Sequence, residues 1–188
     1  GEEGHARIEH YLKTKENCLG QMELAGKEMI DDFAGKAILV EAWLDPGVLS
    51  LEGIPFVGKI DVLCTSDPEI RDWKFTSDIA RYGKTAGQVL RSVQMNGYAE
   101  YFYRRFLDAT DVPLKLSLGY FQTRGKRAEK VSCQTDRKIV AENWAAVGKT
   151  VKIMKAAARE TNVSNLEPNE NACDVGRGCS YRNQCPRG

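Results

Sequence analysis

The sequence predicts an α/β protein in which a mixed central sheet is flanked by helices. Short segments rich in β-branched and aromatic residues alternate with longer segments whose apolar residues recur three and four positions apart. The order αβββαββα interleaves the two kinds of segment, as in layered α/β folds. With 188 residues, of which 42% are apolar and 28% charged, the chain is long enough for one domain with a substantial core.

Each element is predicted from its own pattern. Helical spacing of apolar residues defines the segments 5–13, 21–34, 86–106 and 137–159. The second ends at Gly35, a residue suited to the left-handed position after a helix, and Thr135-Asp136 has the chemistry of a helix N-cap. Strand composition defines the segments 37–44, 54–64, one around Ile70 and Trp73, 114–122 and 128–134.

Composition excludes several classes of protein. No apolar run approaches the roughly 20 residues of a membrane span, and the N-terminus lacks a signal-peptide pattern. Six cysteines without a secretion signal favour free or metal-binding thiols over a disulfide scaffold. We therefore expect a cytoplasmic protein with no membrane partner. The net charge of +1 does not by itself indicate nucleic-acid binding, although basic residues cluster between Arg124 and Lys138.

The stretch Gly58–Lys74 is the centre of the predicted site. A two- or four-residue loop centred on Ser66–Asp67 would make an antiparallel hairpin in which Asp61 faces Asp72. Directly opposed residues on one face have Cβ atoms about 5 Å apart. Lys74 lies two positions beyond Asp72 and so shares its face, whereas a three-residue loop would turn Asp61 to the other face.

This grouping predicts hydrolysis of a phosphodiester bond. Two opposed carboxylates repel each other unless a hard divalent cation such as Mg²⁺ binds both. Such a cation polarises a phosphate and lowers the pKa of a bound water, which Lys74 would orient or deprotonate. The alternative is a solvated hairpin, since the same Asp-x-Lys spacing occurs at Asp136–Lys138, where no acid faces it across a turn.

The C-terminal residues form a second candidate metal site. Cys173, Cys179 and Cys185 lie in a segment with few apolar residues, so a bound metal is the expected means of ordering it. The absence of a Cys-x2-Cys pair weakens a zinc interpretation. We therefore predict a core of residues 1–160 and a metal-binding tail, 161–188, packed on it.

Four motifs together resemble the PD-(D/E)XK nuclease superfamily, and more narrowly its RecB-type exonuclease branch, which includes CRISPR-adaptation and phage exonucleases. The motifs are the helix His5–Leu12, the pair Asp61 and Asp72-Trp73-Lys74, the segment Gln94-Met95-Asn96-Gly97-Tyr98, and the three C-terminal cysteines. The resemblance spans nearly the whole chain. It implies a restriction-endonuclease-like fold with a mixed central sheet.

The resemblance also implies roles for the hairpin residues. Asp61 and Asp72 would bind Mg²⁺ or Mn²⁺ together with the backbone carbonyl of Trp73 and the imidazole of His5. Neutral imidazole suits that role. Lys74 would then be the residue that activates water.

Three further residues are candidates by the same resemblance. Gln94 and Tyr98 are four apart on one predicted helix, so their side chains stack on one face. In the family, residues at these positions contact the catalytic lysine and the bound strand. Glu41 lies in a strand where related enzymes often carry an acid, but a structural ion pair is the favoured interpretation.

The family's cysteines hold a 4Fe–4S cluster, which requires a fourth thiolate. In the family this cysteine usually precedes the histidine helix, where the present sequence has none. Cys64 and Cys133 fall in predicted strands and are expected to be buried structural residues. Cys18 is therefore the candidate for the fourth ligand, and a structural Zn²⁺ is the alternative to the cluster.

The leading hypothesis is a Mg²⁺- or Mn²⁺-dependent DNA exonuclease that acts on single-stranded ends in recombination, repair or replication. A structure-specific endonuclease would use the same core residues. A catalytically silent DNA-binding module with a structural metal site is the alternative from another class. The opposed acids favour an enzyme, because a silent module has no need of them.

Overall fold

The computed structural model describes residues 1–45, 47–106 and 112–161. The helices in these ranges are α1 (Glu2–Thr14), α2 (Gln21–Leu24), α3 (Lys27–Asp31), α4 (Ile79–Tyr82), α5 (Ala86–Leu90), α6 (Val93–Arg105) and α7 (Arg137–Ala157). The strands are β1 (Ile38–Trp43), β2 (Ser50–Leu51), β3 (Ile54–Pro55), β4 (Lys59–Cys64), β5 (Glu69–Thr76), β6 (Leu114–Gln122) and β7 (Ala128–Thr135). None of the described helices is long and apolar enough to cross a membrane.

Five of the strands form one mixed sheet in the order β1-β4-β5-β6-β7. The β5–β6 pair is parallel and the other pairs are antiparallel. One hydrophobic cluster joins the sheet to α5, α6 and the start of α7, and a second joins it to α1 and α3. The predicted α/β class, a restriction-endonuclease-like mixed sheet flanked by helices, is confirmed.

Two predicted helices are interrupted. The segment 21–34 forms α2 and α3 because the chain turns at Gly26, where an added Cβ would lie 2.7 Å from both Ala128 Cβ and Phe121 Cε1. The segment 86–106 forms α5 and α6, and the amide of Asn96 bonds the carbonyls of Leu90 and Ser92 at the break. Periodicity alone misses such breaks, because the first depends on residues far along the chain and the second on a side-chain hydrogen bond that apolar spacing does not indicate.

The predicted strand 54–64 is also divided. Its first residues pair with β2 in a separate two-stranded sheet, and only Lys59–Cys64 joins the central sheet. Phe56 lies between the two parts and packs edge-on against Trp144, with ring centroids 5.1 Å apart. It also covers Gly97, where an added Cβ would be 2.3 Å from the Phe56 ring. The Phe56 ring thus packs at the point where the chain passes from the two-stranded sheet to the central sheet.

The last described helix begins as predicted. The Asp136 carboxylate accepts a hydrogen bond of 2.8 Å from the backbone N–H of Ile139, which makes Asp136 an N-cap rather than a site residue. The chain divides into two compact units, Gly1–Lys149 and Thr150–Gly188. The predicted core and tail, 1–160 and 161–188, stay a prediction.

Candidate active site

The hairpin of β4 and β5 has the register predicted from its turn. Val62 pairs with Arg71, Leu63 with Ile70, and Cys64 with Glu69. The pairs end immediately before Asp61 and Asp72. In place of a further backbone pair, the Asp61 carboxylate accepts a 2.7 Å hydrogen bond from the backbone N–H of Trp73. One acid thus completes the bonding of the neighbouring strand while it stays beside the other acid.

Burial and charge together destabilise the ionised form of Asp61. The residue is only 7% exposed. Desolvation, followed by the negative charge of Asp72, raises the pKa of Asp61 to about 7, although the Trp73 N–H acts in the opposite direction. At neutral pH this carboxyl is therefore close to half protonated unless a cation is beside it. Groups in this state are typical of functional sites.

The helix α1 brings His5 to the hairpin. Ile8 and Leu12 on one face of α1 are buried, and His5 lies one turn before Ile8 on the same side. His5 Nδ1 is 3.5 Å from Asp61 Oδ2, and the His5 ring is 5.3 Å from the Phe75 ring. Burial lowers the pKa of His5, so the imidazole is neutral at pH 7 and a ring nitrogen keeps its electron pair.

Glu41 joins the site from the edge strand β1. The neighbouring pairs, Val40 with Val62 and Ala42 with Ile60, place Glu41 across from Asp61. Its backbone is left-handed, with φ 55°, a strained conformation for a residue with a side chain. One possible ligand atom each from His5, Glu41 and Asp61 lie within 4.8 Å of one another.

Glu41 also forms the ion pair expected from the sequence, and its partner is Lys59 on β4. The Glu41 side chain therefore forms a structural ion pair and also lies among the candidate metal ligands. Lys59 was not expected at the site. Its position two residues before Asp61 on the same strand is the signal that would have found it.

Asp72 and Lys74 lie in a hydrogen-bonded chain that leads to α6. Lys74 Nζ is 2.6 Å from Asp72 Oδ2 and 3.4 Å from Gln94 Oε1. Gln94 Nε2 donates to Asp72 Oδ1 at 2.8 Å and to the Tyr98 hydroxyl oxygen at 3.0 Å. The Tyr98 hydroxyl in turn donates to the Lys59 carbonyl at 2.8 Å. Burial raises the pKa of Tyr98, which keeps this donor protonated.

The site opens into a cleft of about 670 Å³. Its lining includes acidic side chains, basic side chains, an imidazole and an aromatic ring: His5, Glu41, Lys59, Asp61, Lys74 and Phe75. This volume lies within the range of small-ligand sites. A neutral imidazole beside two carboxylates, one of them with a raised pKa, fits a divalent cation such as Mg²⁺ or Mn²⁺. Asp72 lies beside the three-residue group but is not part of it among the described residues.

Three of the six cysteines, Cys18, Cys64 and Cys133, lie in the described part of the chain. Cys173, Cys179 and Cys185 lie outside the described residues. Cys18 is half-buried, and its thiol donates a 3.2 Å hydrogen bond to the Arg7 carbonyl. Cys64 is buried, as expected for a structural residue, whereas Cys133 is only half-buried.

The chain is similar to known proteins over most of its length. The chain is similar to LHK-Exo, crystallised in complex with dAMP, with a TM-score of 0.38 and 10% identity over 83% of this chain and 80% of that one. It is also similar to a phage-related exonuclease from Haemophilus somnus 129PT, with a TM-score of 0.35 and 14% identity over 83% and 82% of the two chains. No curated protein matches the sequence. A sequence profile of one family matches residues 4–186, which is nearly the whole chain, and the protein therefore belongs to the PD-(D/E)XK nuclease superfamily.

Proposed function

We propose that this nuclease is a Mg²⁺- or Mn²⁺-dependent DNA exonuclease that hydrolyses phosphodiester bonds at single-stranded ends. The observation that carries the proposal is the meeting of His5, Glu41 and Asp61 beside the Asp72–Lys74 pair. The proposed setting is DNA recombination, repair or replication in the cytoplasm. A structure-specific endonuclease would use the same residues, and the substrate assay below separates the two.

The metal would be held by His5 and Asp61, with Glu41 as a further acid. The resemblance to RecB-type enzymes adds Asp72 and the Trp73 carbonyl to this set. When bound, the cation supplies a Lewis acid for the phosphate and lowers the pKa of a water ligand. Ionisation of Asp61 is costly without a cation, so the raised pKa supports a role for this carboxylate as a ligand.

The remaining residues position the proton transfer. Lys74 is 38% exposed on the cleft side, and its Nζ lies beside Asp72, where the ammonium would orient the attacking water or the neutral amine would accept a proton from it. Gln94 bonds both Lys74 and Asp72 and so restricts both side chains. Tyr98 holds Gln94 in place through its hydroxyl. In the proposed reaction Gln94 and Tyr98 also lie along the bound strand.

The proposal includes the C-terminal tail. Cys173, Cys179 and Cys185 would bind a 4Fe–4S cluster, with Cys18 as the fourth ligand and Zn²⁺ as the alternative metal. The tail, 161–188, would then be ordered by its own metal. Its metal is structural in this proposal and takes no part in hydrolysis.

The first prediction tests the catalytic lysine. Lys74→Ala should reduce cleavage of end-labelled DNA by several orders of magnitude, because the ammonium acts on water in the reaction. DNA binding should change little, since it depends mainly on other basic groups. Cleavage rates on linear single strands, linear duplexes and closed circles, with Mg²⁺, Mn²⁺ or EDTA, provide the measurement. An exonuclease requires an end, so the closed circle should remain intact.

Lys138→Ala is the matched control. Lys138 has the same Asp-x-Lys spacing but is exposed on α7 behind the N-cap Asp136, so its removal should leave the cleavage rate at saturating DNA unchanged. Equal loss of binding and cleavage in Lys74→Ala would make Lys74 a phosphate anchor. Cleavage in EDTA would contradict metal dependence, and cleavage of closed circles would favour the endonuclease.

A further inference from the structure

The three tryptophans of the chain lie in different environments. Trp73 and Trp144 are 2% and 5% exposed, whereas Trp43, the last residue of β1, is 71% exposed. A large aromatic ring in water loses the free energy that burial would provide. Packing within the described part of the chain therefore does not account for Trp43.

The surroundings of Trp43 connect it to the cleft. In the β1–β4 ladder Trp43 pairs with Lys59, and Lys59 Nζ lies 5.7 Å from the centroid of the Trp43 ring. The same ammonium forms the ion pair with Glu41 and lines the cleft. One side chain thus separates the exposed ring from the group of candidate metal ligands, and the ring lies at the rim of the site.

We infer that Trp43 is a stacking platform for an unpaired nucleobase of the substrate strand, an inference that rests on the proposed nuclease function. Every base has an aromatic face, so an exposed ring binds single strands with little dependence on sequence. A base within a duplex is already stacked on both faces and cannot use the platform. Trp43 would therefore bias the site toward unpaired DNA next to the scissile phosphate.

The charge beside the ring favours a nucleotide over an apolar partner. The Lys59 side chain is 40% exposed, so its ammonium, which pairs with Glu41 and lies next to the ring, would also be in reach of a backbone phosphate bound with the base. A second copy of the chain is the competing occupant, since β1 is an edge strand and Leu39 on it is 47% exposed. A dry protein interface would have to bury the Lys59 charge, at a cost.

The test compares Trp43→Ala, Trp43→Phe and Leu39→Ala. Leu39→Ala is the matched control, because it removes an exposed apolar side chain from the other end of the same strand. Binding of short oligo(dT), and of an abasic oligonucleotide of equal length, is measured with Ca²⁺ in place of Mg²⁺. Fluorescence of the wild-type protein provides a second measurement, since Trp43 is the exposed tryptophan and a stacked base should quench its emission.

Trp43→Ala should weaken binding of oligo(dT) roughly 5- to 150-fold, the range measured for loss of one base–aromatic stack. Trp43→Phe should retain most of the affinity, and Leu39→Ala all of it. Binding of the abasic strand should be equal in the wild type and in Trp43→Ala. Oligo(dT), but not the abasic strand, should quench the emission of the wild-type protein.

Two results would contradict the proposed stacking role of Trp43. Unchanged oligo(dT) binding in Trp43→Ala, or an equal loss for the abasic strand, would show that no base stacks on the ring. A fall in molecular mass by size-exclusion chromatography in Trp43→Ala would instead assign the ring to a second copy. The proposed nuclease function can fail separately. If the wild-type protein binds oligo(dT) through Trp43 but cleaves no DNA, the stacking role of Trp43 is supported and the nuclease function is contradicted.

Discussion

At the scale of single residues, Asp61 combines roles that conflict with one another. Its carboxylate completes the backbone bonding of β5 through the Trp73 N–H, which favours the charged form. Its burial and the proximity of Asp72 disfavour that form more strongly. Residues under such opposed pressures reduce the stability of a protein and are retained where they serve a function.

The pH dependence of stability should report this conflict. The pKa of Asp61 is about 7 in the folded protein and near its ordinary value of about 4 when unfolded. A carboxyl group whose pKa is raised by folding contributes stability to the protein. This contribution is complete below the pKa of the unfolded state and is lost as pH rises through the pKa of the folded state. Between about pH 4 and pH 7, the metal-free protein should therefore lose a few kcal/mol through this group.

Asp61→Asn should remove that loss, because the amide stays neutral and its oxygen still accepts the Trp73 N–H. Urea unfolding of the metal-free proteins between pH 5 and pH 8 should show that the free energy of unfolding of Asp61→Asn increases relative to that of the wild type as pH rises. Mn²⁺ should stabilise the wild type more than the variant, because the variant lacks one of the proposed ligands. Glu28→Gln, which replaces an exposed acid, is the control. A constant difference between Asp61→Asn and the wild type would contradict the assignment.

The backbone of Glu41 allows a second test at a single residue. With φ 55°, an alanine should be less stable here than a glycine, by about 1 kcal/mol, because glycine has no Cβ to strain the left-handed conformation. Glu41→Gly and Glu41→Ala both remove the carboxylate, so their difference isolates the backbone term in chemical denaturation. At Ala42, whose φ is not positive, Ala42→Gly should destabilise instead. Equal stabilities of the two Glu41 variants would argue against strain.

At the scale of secondary-structure elements, the site depends on how closely α1 approaches β5. Gly4 permits this approach, since a Cβ at this position would lie 2.3 Å from Phe75 Cζ. The Phe75 ring contacts His5 and stacks on Phe121, with centroids 5.3 and 5.1 Å away respectively. A shift of α1 away from Phe75 would therefore move the imidazole from Asp61.

Gly4→Ala should weaken Mn²⁺ binding and reduce stability, even though alanine is the better helix former by about 1 kcal/mol. Calorimetric titration with Mn²⁺ and thermal unfolding measure the two effects. Gly87→Ala in α5 is the matched control: its Cβ would meet Arg91 Nη2 at 3.5 Å, an ordinary contact. Gly87→Ala should be stabilising or neutral and leave Mn²⁺ binding unchanged. The same behaviour from Gly4→Ala would mean that α1 tolerates the extra atom.

At the scale of the whole molecule, the family match extends over both the sheet and the cysteine segment, from residue 4 to residue 186. Within residues 1–45, 47–106 and 112–161, the candidate nuclease site is made by α1, β1, β4, β5 and α6. We therefore expect that loss of the metal in the tail would leave the geometry of the nuclease site unchanged.

Protein purified without oxygen should be brown if the tail binds an iron–sulfur cluster. Cys179→Ser should remove the colour and increase proteolysis after Thr161, because the metal is proposed to order that segment. Mn²⁺ binding at the core should change little. Iron and sulfide analysis of both proteins is the measurement, and Cys133→Ser, at a half-buried strand cysteine, is the control. Colourless protein with one zinc per chain would replace the cluster with zinc, and metal-free protein would reject both.

Local patterns in the sequence were sufficient to predict the central hairpin. Turn chemistry at Ser66–Asp67 determines the register, and alternation along a strand determines which residues share a face. For that reason the β4–β5 register and the adjacency of Lys74 to Asp72 are confirmed by the structure. The meeting of His5 with Asp61 required the family resemblance, because no local pattern relates a helix to a strand more than fifty residues away.

The tertiary structure alone decided the rest of the site. The left-handed backbone of Glu41 and the pairing of that glutamate with Lys59 depend on a neighbouring strand that no local pattern identifies. The break at Gly26 has the same origin, since β6 and β7 leave no room for a side chain there. Turns and alternation are set by residues next to each other, whereas close approach and desolvation are set by whatever the folded chain brings alongside.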